Sequence, residues 1–436
     1  MSASTWTVPP SSASTTVAGA WPSGSRWRWN DWTGESDFEI RGGGPMAQTL
    51  NYNYNSVAQE VVCAEDAISS LPSVLSRLGG TRAMVICGPS ILEKSDVVKR
   101  VQDALGDRCV GLFSGVAPHS PVHTLDEAIR LASDLKPDAL VSVGGGSTHD
   151  TTKGIATLMG EGGKIQDHQV IFEPPDKVIL PEFSPDRVPI IAVSTTMGAA
   201  ELSRGGGFTD KDLGRKIVVA DPGTIPRLII IDGQALATTP MSILLSTAMG
   251  QMRIAVETVY SSKHNPISDS MALHSISMLV KYLPQCPSLD LDCLLQTKTA
   301  ASMATMAGGS LGLNTAMAHH VGGLYDVPHG DANAIMLPHT MRFNSVGSSG
   351  RQALIAQAMG VDTSGMSDHD AALAAADAVE ALRDSLGLPG RLRDVGVPEE
   401  GLELIAAATL HDRSLATNPT PVTDAGPIMS VLRSSW

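Results

Sequence analysis

The chain has 436 residues, 42% hydrophobic and 17% charged, with 31 Lys+Arg against 45 Asp+Glu and a formal net charge of −14. That length suffices for a large buried core and two or three domains, and the composition excludes a disordered chain. No Lys/Arg cluster marks a nucleic-acid partner, and no apolar run reaches the ~20 residues of a membrane span.

The first 45 residues differ from the rest. They are rich in Ser, Thr, Gly and Pro, and they hold Trp6, Trp21, Trp27, Trp29 and Trp32 of the six tryptophans. They lack the basic n-region and continuous apolar h-region of a secretory signal. The segment 1–45 is therefore expected to be a disordered leader, with the folded protein starting near Met46. The five cysteines, Cys63, Cys87, Cys109, Cys286 and Cys293, are odd in number and never in CxxC spacing. They read as reduced, buried thiols of a cytoplasmic protein.

From 46 to 232 short apolar runs alternate with helical spacing. "RAMVICGPS" (82–90) is a run stopped by Gly-Pro, which marks a buried strand, and "SDVVKRVQDAL" after it is helical. "CVGLFSGV" (109–116) is a second strand. "TLDEAIRLASDL" (124–135) is a helix with Thr124 as N-cap and Glu127 completing a capping box. "DALVSVGGGSTHDTTKGIATLMG" (138–160) reads as strand, Gly-rich turn and helix, and "VPIIAVSTT" (188–196) as a further strand. "RKIVVA" and "RLIIID" (227–232) add two more, placed as a small ribbon at the sheet edge. The pattern predicts an α/β, Rossmann-like dinucleotide-binding domain over 46–232. From 233 to 436 apolar residues recur at helical spacing and β-branched runs vanish, which predicts an all-α domain with an active-site cleft between the two. Within it "LSTAMGQMRIAVETVY" (245–260) reads as an ordinary amphipathic helix.

The turn Gly144-Gly145-Gly146-Ser147 follows a strand and opens a helix. Glycines let backbone N–H groups approach a phosphate at a helix N-terminus; the triplet also fits a tight turn that needs positive φ. Ser194-Thr195-Thr196 ends the next strand and supplies hydroxyls at the same sheet edge, or simply caps a helix.

Four segments resemble the iron-containing alcohol dehydrogenase superfamily: "GGGSTHDTTKG" with Asp150 and Lys153 in register, "PIIAVSTTMGAAELS" with Glu201, "AMAHHVGGLYDVPHGDANAIMLPHTMRFN" (316–344) and "LATNPTPVT" (415–423). The TT–E spacing, "HSP" (119–121) and "GGLYDVPH" look like the maleylacetate reductase branch. The resemblance implies that the dinucleotide pyrophosphate lies on Gly144, Gly145, Gly146 and Ser147, beside Asp150. Thr195 and Thr196 border the nicotinamide side, and Lys216 reaches into the cofactor groove. Where the family often carries an acid that holds the adenosine ribose, this chain has Gly88, so NADH and NADPH are both expected to be accepted.

The family's metal ligands, an Asp and a His at i, i+4 and two His fourteen residues apart, fall on Gly250, Ile254, Thr315 and His329. One histidine cannot hold Zn²⁺ or Fe²⁺, so no metal is expected. Hydrogen-bond donors or a cation must then stabilise a developing oxyanion. His319, placed by the resemblance beside the nicotinamide, is the first candidate proton donor and His329 the second. Arg253 borders the former metal face and suits a substrate carboxylate or enolate; the alternative is a surface salt bridge with Glu257 at i, i+4. His320 is adjacent to His319 on a helix and points elsewhere, so the two are not expected to form a site. The resulting expectation is a metal-independent NAD(P)H-dependent reductase acting on a carbonyl or enone of a small oxo acid, with a homodimer through an edge strand as the assembly the resemblance suggests. The alternatives are a non-redox lyase, isomerase or cyclase on the same scaffold, and a nucleotide-binding protein without activity.

Overall fold

Among the described residues, ten short strands punctuate the N-terminal half: β1 (Glu60–Ala64), β2 (Ala83–Cys87), β3 (Cys109–Phe113), β4 (Ala139–Gly144), β5 (Ile171–Glu173), β6 (Lys177–Ile179), β7 (Ile190–Ser194), β8 (Gly206–Asp210), β9 (Arg215–Val219) and β10 (Leu228–Asp232). The computed structural model describes residues 52, 54, 56, 59–173, 177–210, 215–308 and 311–436, so the leader expected over 1–45 lies outside the described residues. Six strands form one all-parallel sheet in the order β1-β10-β7-β4-β2-β3. β2, β4, β7 and β10 are buried at every position, which is why they read as unbroken apolar runs rather than as alternation. Alternate residues still serve opposite faces. Val85, Val141, Val193 and Ile230 pack with α1 (Leu71–Arg77) and α3 (Val97–Leu105), which flank the short α2 (Pro89–Lys94). Met84, Ile86 and Leu140 pack with α4 (His123–Leu135) and α5 (Gly146–Glu161).

Two local expectations are corrected. "RLIIID" is no edge ribbon: β10 lies inside the main sheet between β1 and β7, because a strand apolar on both faces must be covered on both. β9 does form a ribbon, antiparallel with β8. Thr124 is not the cap of α4; it lies inside the helix, and its hydroxyl donates to the Pro121 carbonyl at 2.7 Å.

After β10 the chain is helical: α6 (Gly233–Ala237), α7 (Met241–Tyr260), α8 (Pro266–Tyr282), α9 (Leu291–Met306), α10 (Leu313–Tyr325), α11 (His329–Ala358, kinked at Ser348), α12 (Asp368–Ser385), α13 (Gly401–Thr409) and α14 (Ala425–Ser435). α7 corrects the amphipathic reading. Fifteen of its residues are buried, Arg253 and Glu257 among them, because both faces carry apolar side chains and neighbours cover both. None of the described helices is long and apolar enough to cross a membrane. All five thiols are free, but Cys63 is exposed because it lies on the edge strand β1.

Candidate active site

The carboxyl ends of β2, β3 and β4 open onto a cleft of about 450 Å³, lined by Gly88, Ser90, Gly115, Gly145, Gly146 and Ser147 among others. That is where a parallel α/β sheet binds nucleotides. The turn after β4 and the turn after β7 touch only because glycine lacks a Cβ. One on Gly144 would strike Thr148, and one on Gly145 would lie 2.9 Å from Thr196 Cγ2. The Thr195 N–H donates to the Gly144 carbonyl at 3.0 Å. On Gly146 a Cβ would meet only Ala200 at 3.7 Å, so the first turn of α5 stays open toward the cleft. Backbone donors, helix N-terminus and open space suit a pyrophosphate.

The other groups predicted for the cofactor are only partly free to reach it. Asp150 Oδ2 accepts from the Gly207 N–H at 3.0 Å, which ties α5 to the β8–β9 ribbon. Burial raises the Asp150 pKa, opposed by Lys153, the Gly207 N–H and Lys216. Lys216 on β9 lies across Gly207, where a Cβ would be 2.5 Å from Lys216 Cε. The Ser147 hydroxyl already accepts from the His119 N–H at 3.1 Å.

The four positions assigned to metal ligands converge without forming a metal site. Gly250 is buried and offers no ligand atom; a built Cβ there would be in ordinary contact with Gly330 Cα at 3.8 Å and Asn333 Nδ2 at 4.0 Å. Ile254 packs against the apolar core. Thr315 offers a hydroxyl, but Arg253 Nη1 donates to it at 2.7 Å. The same nitrogen donates to Glu257 Oε2 at 3.2 Å, so the i, i+4 pair read as the alternative is present. Glu257 also accepts from the Thr315 hydroxyl and, at 3.2 Å, from the Thr315 N–H. Among the described residues no group of three or more His, Cys, Asp and Glu is placed to hold a metal ion. The donor set does not fit iron or zinc.

His319 and His329 do come together. Their rings stack with centroids 5.8 Å apart and planes 14° apart. His319 Nδ1 bonds Asp412 Oδ2 at 2.8 Å, which leaves Nε2 as the open position of a ring that is 41% exposed. Burial would raise the Asp412 pKa, yet the His319 and Ser414 bonds bring it down to about 2. His320 Nε2 lies 3.6 Å from the same carboxylate without a hydrogen bond to it, and the two adjacent imidazoles make no metal-holding group among the described residues. His329 keeps contact with solvent, but desolvation on the crowded wall holds its pKa well below the ordinary range. Arg253, His319, Lys216 and His119 add to that effect, and the same interactions place all four around His329.

Sequence reasoning missed the partners. Asp412 is 93 residues from His319, and its one local signal is an N-cap bond to the Ser414 N–H at 2.8 Å. Asn418, in the "TNP" segment, accepts from the Leu313 N–H at 3.0 Å and so fixes the start of α10. Lys298 on α9, fully buried, pairs with Glu201 at 2.7 Å and donates to the Gly198 carbonyl, pinning the Thr195–Ser203 stretch to the helical half. His119 Nε2 meets Asp326 Oδ1 at 3.0 Å across the cleft. His119, Ser120 and Asp326 have φ of 61°, 48° and 55°, strained values of the kind that gather at functional sites.

Comparison with known proteins places this geometry. Residues 58–233 match the family model described as "Iron-containing alcohol dehydrogenase", and 244–436 that described as "Fe-containing alcohol dehydrogenase family, C-terminal". The NAD-dependent methanol dehydrogenase of Bacillus methanolicus is 29% identical over 83% of this chain and 94% of its own. The maleylacetate reductase of Burkholderia cepacia is 28% identical over 83% and 91%. These near-equal identities do not single out the reductase branch. The crystal structure of 1,3-propanediol oxidoreductase superposes with a TM-score of 0.81 at 29% identity, covering 89% of this chain and all of that one. The chain belongs to the iron-containing alcohol dehydrogenase family of oxidoreductases.

Proposed function

We propose that this protein is an NAD(P)H-dependent reductase of a carbonyl or enone in a small oxo acid, and that it works without a resident metal. One observation carries the reading: the glycine turn stays open at the start of α5 and His319, stacked on His329, is held by Asp412, while three of the four family ligand positions hold Gly, Ile and Thr. A bound NAD(P)H supplies hydride to the carbonyl carbon. Gly144, Gly145, Gly146 and Ser147 would hold its pyrophosphate, Thr195 and Thr196 border its nicotinamide, and Lys216 and Asp150 shape the groove between. As hydride arrives, the carbonyl electron pair moves onto oxygen, which must take up a proton. His319 gives that proton from Nε2, with Asp412 fixing the ring through Nδ1. His329, exposed and stacked on His319, would offer a second hydrogen bond to that oxygen.

The absence of a carboxylate at Gly88 and among the cleft-lining residues supports use of NADPH as well as NADH. The outer edge of β1, unpaired among the described residues and with Val61 43% exposed, supports a homodimer formed there. The test is a fluorescence titration of the full chain with NADPH, followed by a panel of oxo acids. Saturable dinucleotide binding and substrate-dependent loss of the reduced cofactor are expected. Binding without turnover on any carbonyl compound would favour a lyase, isomerase or cyclase, and no dinucleotide affinity would remove the reading altogether.

A further inference from the structure

The four family ligand positions of this chain do not make a metal site, yet the space between them is not empty of charge. We propose that the Arg253 guanidinium is the resident cation of this pocket, standing where the family metal would stand and receiving the anionic oxygen of the substrate. The inference rests on the reductase reading above and names what replaces the ion.

Three observations carry it. First, Thr315 occupies a ligand position, and a side chain there aims its donor at the ion. Here it aims at Arg253 Nη1, 2.7 Å away. Second, Gly250 removes the carboxylate that would otherwise sit one turn before Arg253 on α7, and the neighbours that close in there, Gly330 Cα at 3.8 Å and Asn333 Nδ2 at 4.0 Å from a built Cβ, bring no carboxylate in its place. Third, the guanidinium is built in rather than laid on the surface. Arg253 is 5% exposed, Glu257 and Thr315 grip one nitrogen, and Nε has no partner. A buried cationic donor left unpaired is costly, and sites keep such donors for a ligand.

The exchange has chemical consequences. A guanidinium stays charged at every accessible pH, so the site needs no metal loading. It acts through hydrogen bonds and charge rather than coordination, so it favours oxygen that is anionic or becomes so. Glu257 offsets part of its charge, which weakens the field but fixes the orientation. The substrate class this selects is a carbonyl compound that carries a carboxylate or passes through an enolate.

The experiment rebuilds the metal site in the full chain, with Co²⁺ as the probe read by its visible absorption. Gly250→Asp, Ile254→His and Thr315→His together supply the missing ligands. With Arg253 retained, Co²⁺ should bind on the order of 10–100-fold more weakly than after the further change Arg253→Ala. Equal Co²⁺ affinity with and without Arg253 would show that the guanidinium does not stand in the ion's place. Independently, Arg253→Ala in the otherwise native chain should lose about 10²–10³-fold in kcat/KM at unchanged NADPH affinity, with partial return on adding guanidinium ion but not Na⁺. Should Arg253→Ala misfold, the double change Arg253→Met with Glu257→Gln removes both charges together and keeps the volume. That variant should bind NADPH and turn over poorly; undiminished turnover would overturn the proposal. A native chain that fails to bind NADPH defeats the reductase reading instead and leaves the Co²⁺ contrast intact.

Discussion

His319 illustrates how much one side chain owes to a partner far along the chain. The Asp412 bond orients the imidazole, and without it the ring loses both tautomer and direction. Replacing His319 by Ala should lower kcat by about 10²–10⁴-fold with little change in NADPH affinity. Asp412→Asn should lower it less while shifting the pH–kcat profile; steady-state kinetics across pH checks both, and an unchanged turnover for His319→Ala would remove it from the mechanism. A second residue-scale expectation concerns stability. Burial holds His149 at a pKa of about 4, against 6.5 for a free imidazole, with Lys153 and Lys298 adding and Glu201 opposing. The unfolded chain therefore binds the proton first. Stability falls as pH drops from 6.5 toward 4, by up to about 3 kcal/mol. Thermal melts should show this slope, and His149→Gln should flatten it; a slope unaltered by the substitution would place the effect elsewhere. Arg253 shows where residue reading stops. Its two sequence-level readings, substrate anchor and pair with Glu257, are not exclusive, because one nitrogen makes the pair and leaves the rest of the guanidinium.

Among elements, the contact that joins the two halves most tightly near the cleft is α9 against the stretch after β7. Lys298 is fully buried, and its ammonium holds Glu201 and the Gly198 carbonyl. Lys298→Met leaves the Glu201 carboxylate uncompensated and should cost about 3–5 kcal/mol. Adding Glu201→Leu should recover most of that in chemical denaturation. If the single change proves neutral, the pair does not hold the loop. Lys298 did not announce itself in the sequence, since it lies 97 positions from Glu201 and a lone Lys in a helix reads as a solvated face; Glu201 stood out only through the family motif, without its partner. The buried strands did announce themselves, because burial on both faces writes five apolar residues in a row. β1 did not: it is an exposed edge strand with both ends charged or small, and pairing with β10 rather than its own pattern makes it a strand.

For the whole molecule, the two-part architecture was legible because the apolar period changes near residue 233, where β10 gives way to α6. The cleft was legible through motifs that sit at strand ends. What no local pattern could supply was the set of partners that converge from α7, α10, α11 and the segment before "TNP", since their geometry exists only once the helices pack. The account as a whole claims that hydride chemistry proceeds here with a protein cation in place of a metal ion. The measurement that bears on it most directly is NADPH-dependent turnover of one enzyme sample before and after exhaustive dialysis against a divalent-metal chelator, with the metal content determined alongside. Unchanged turnover at sub-stoichiometric metal is the predicted result. A tightly held divalent ion, present one per chain and needed to restore lost activity, would contradict it.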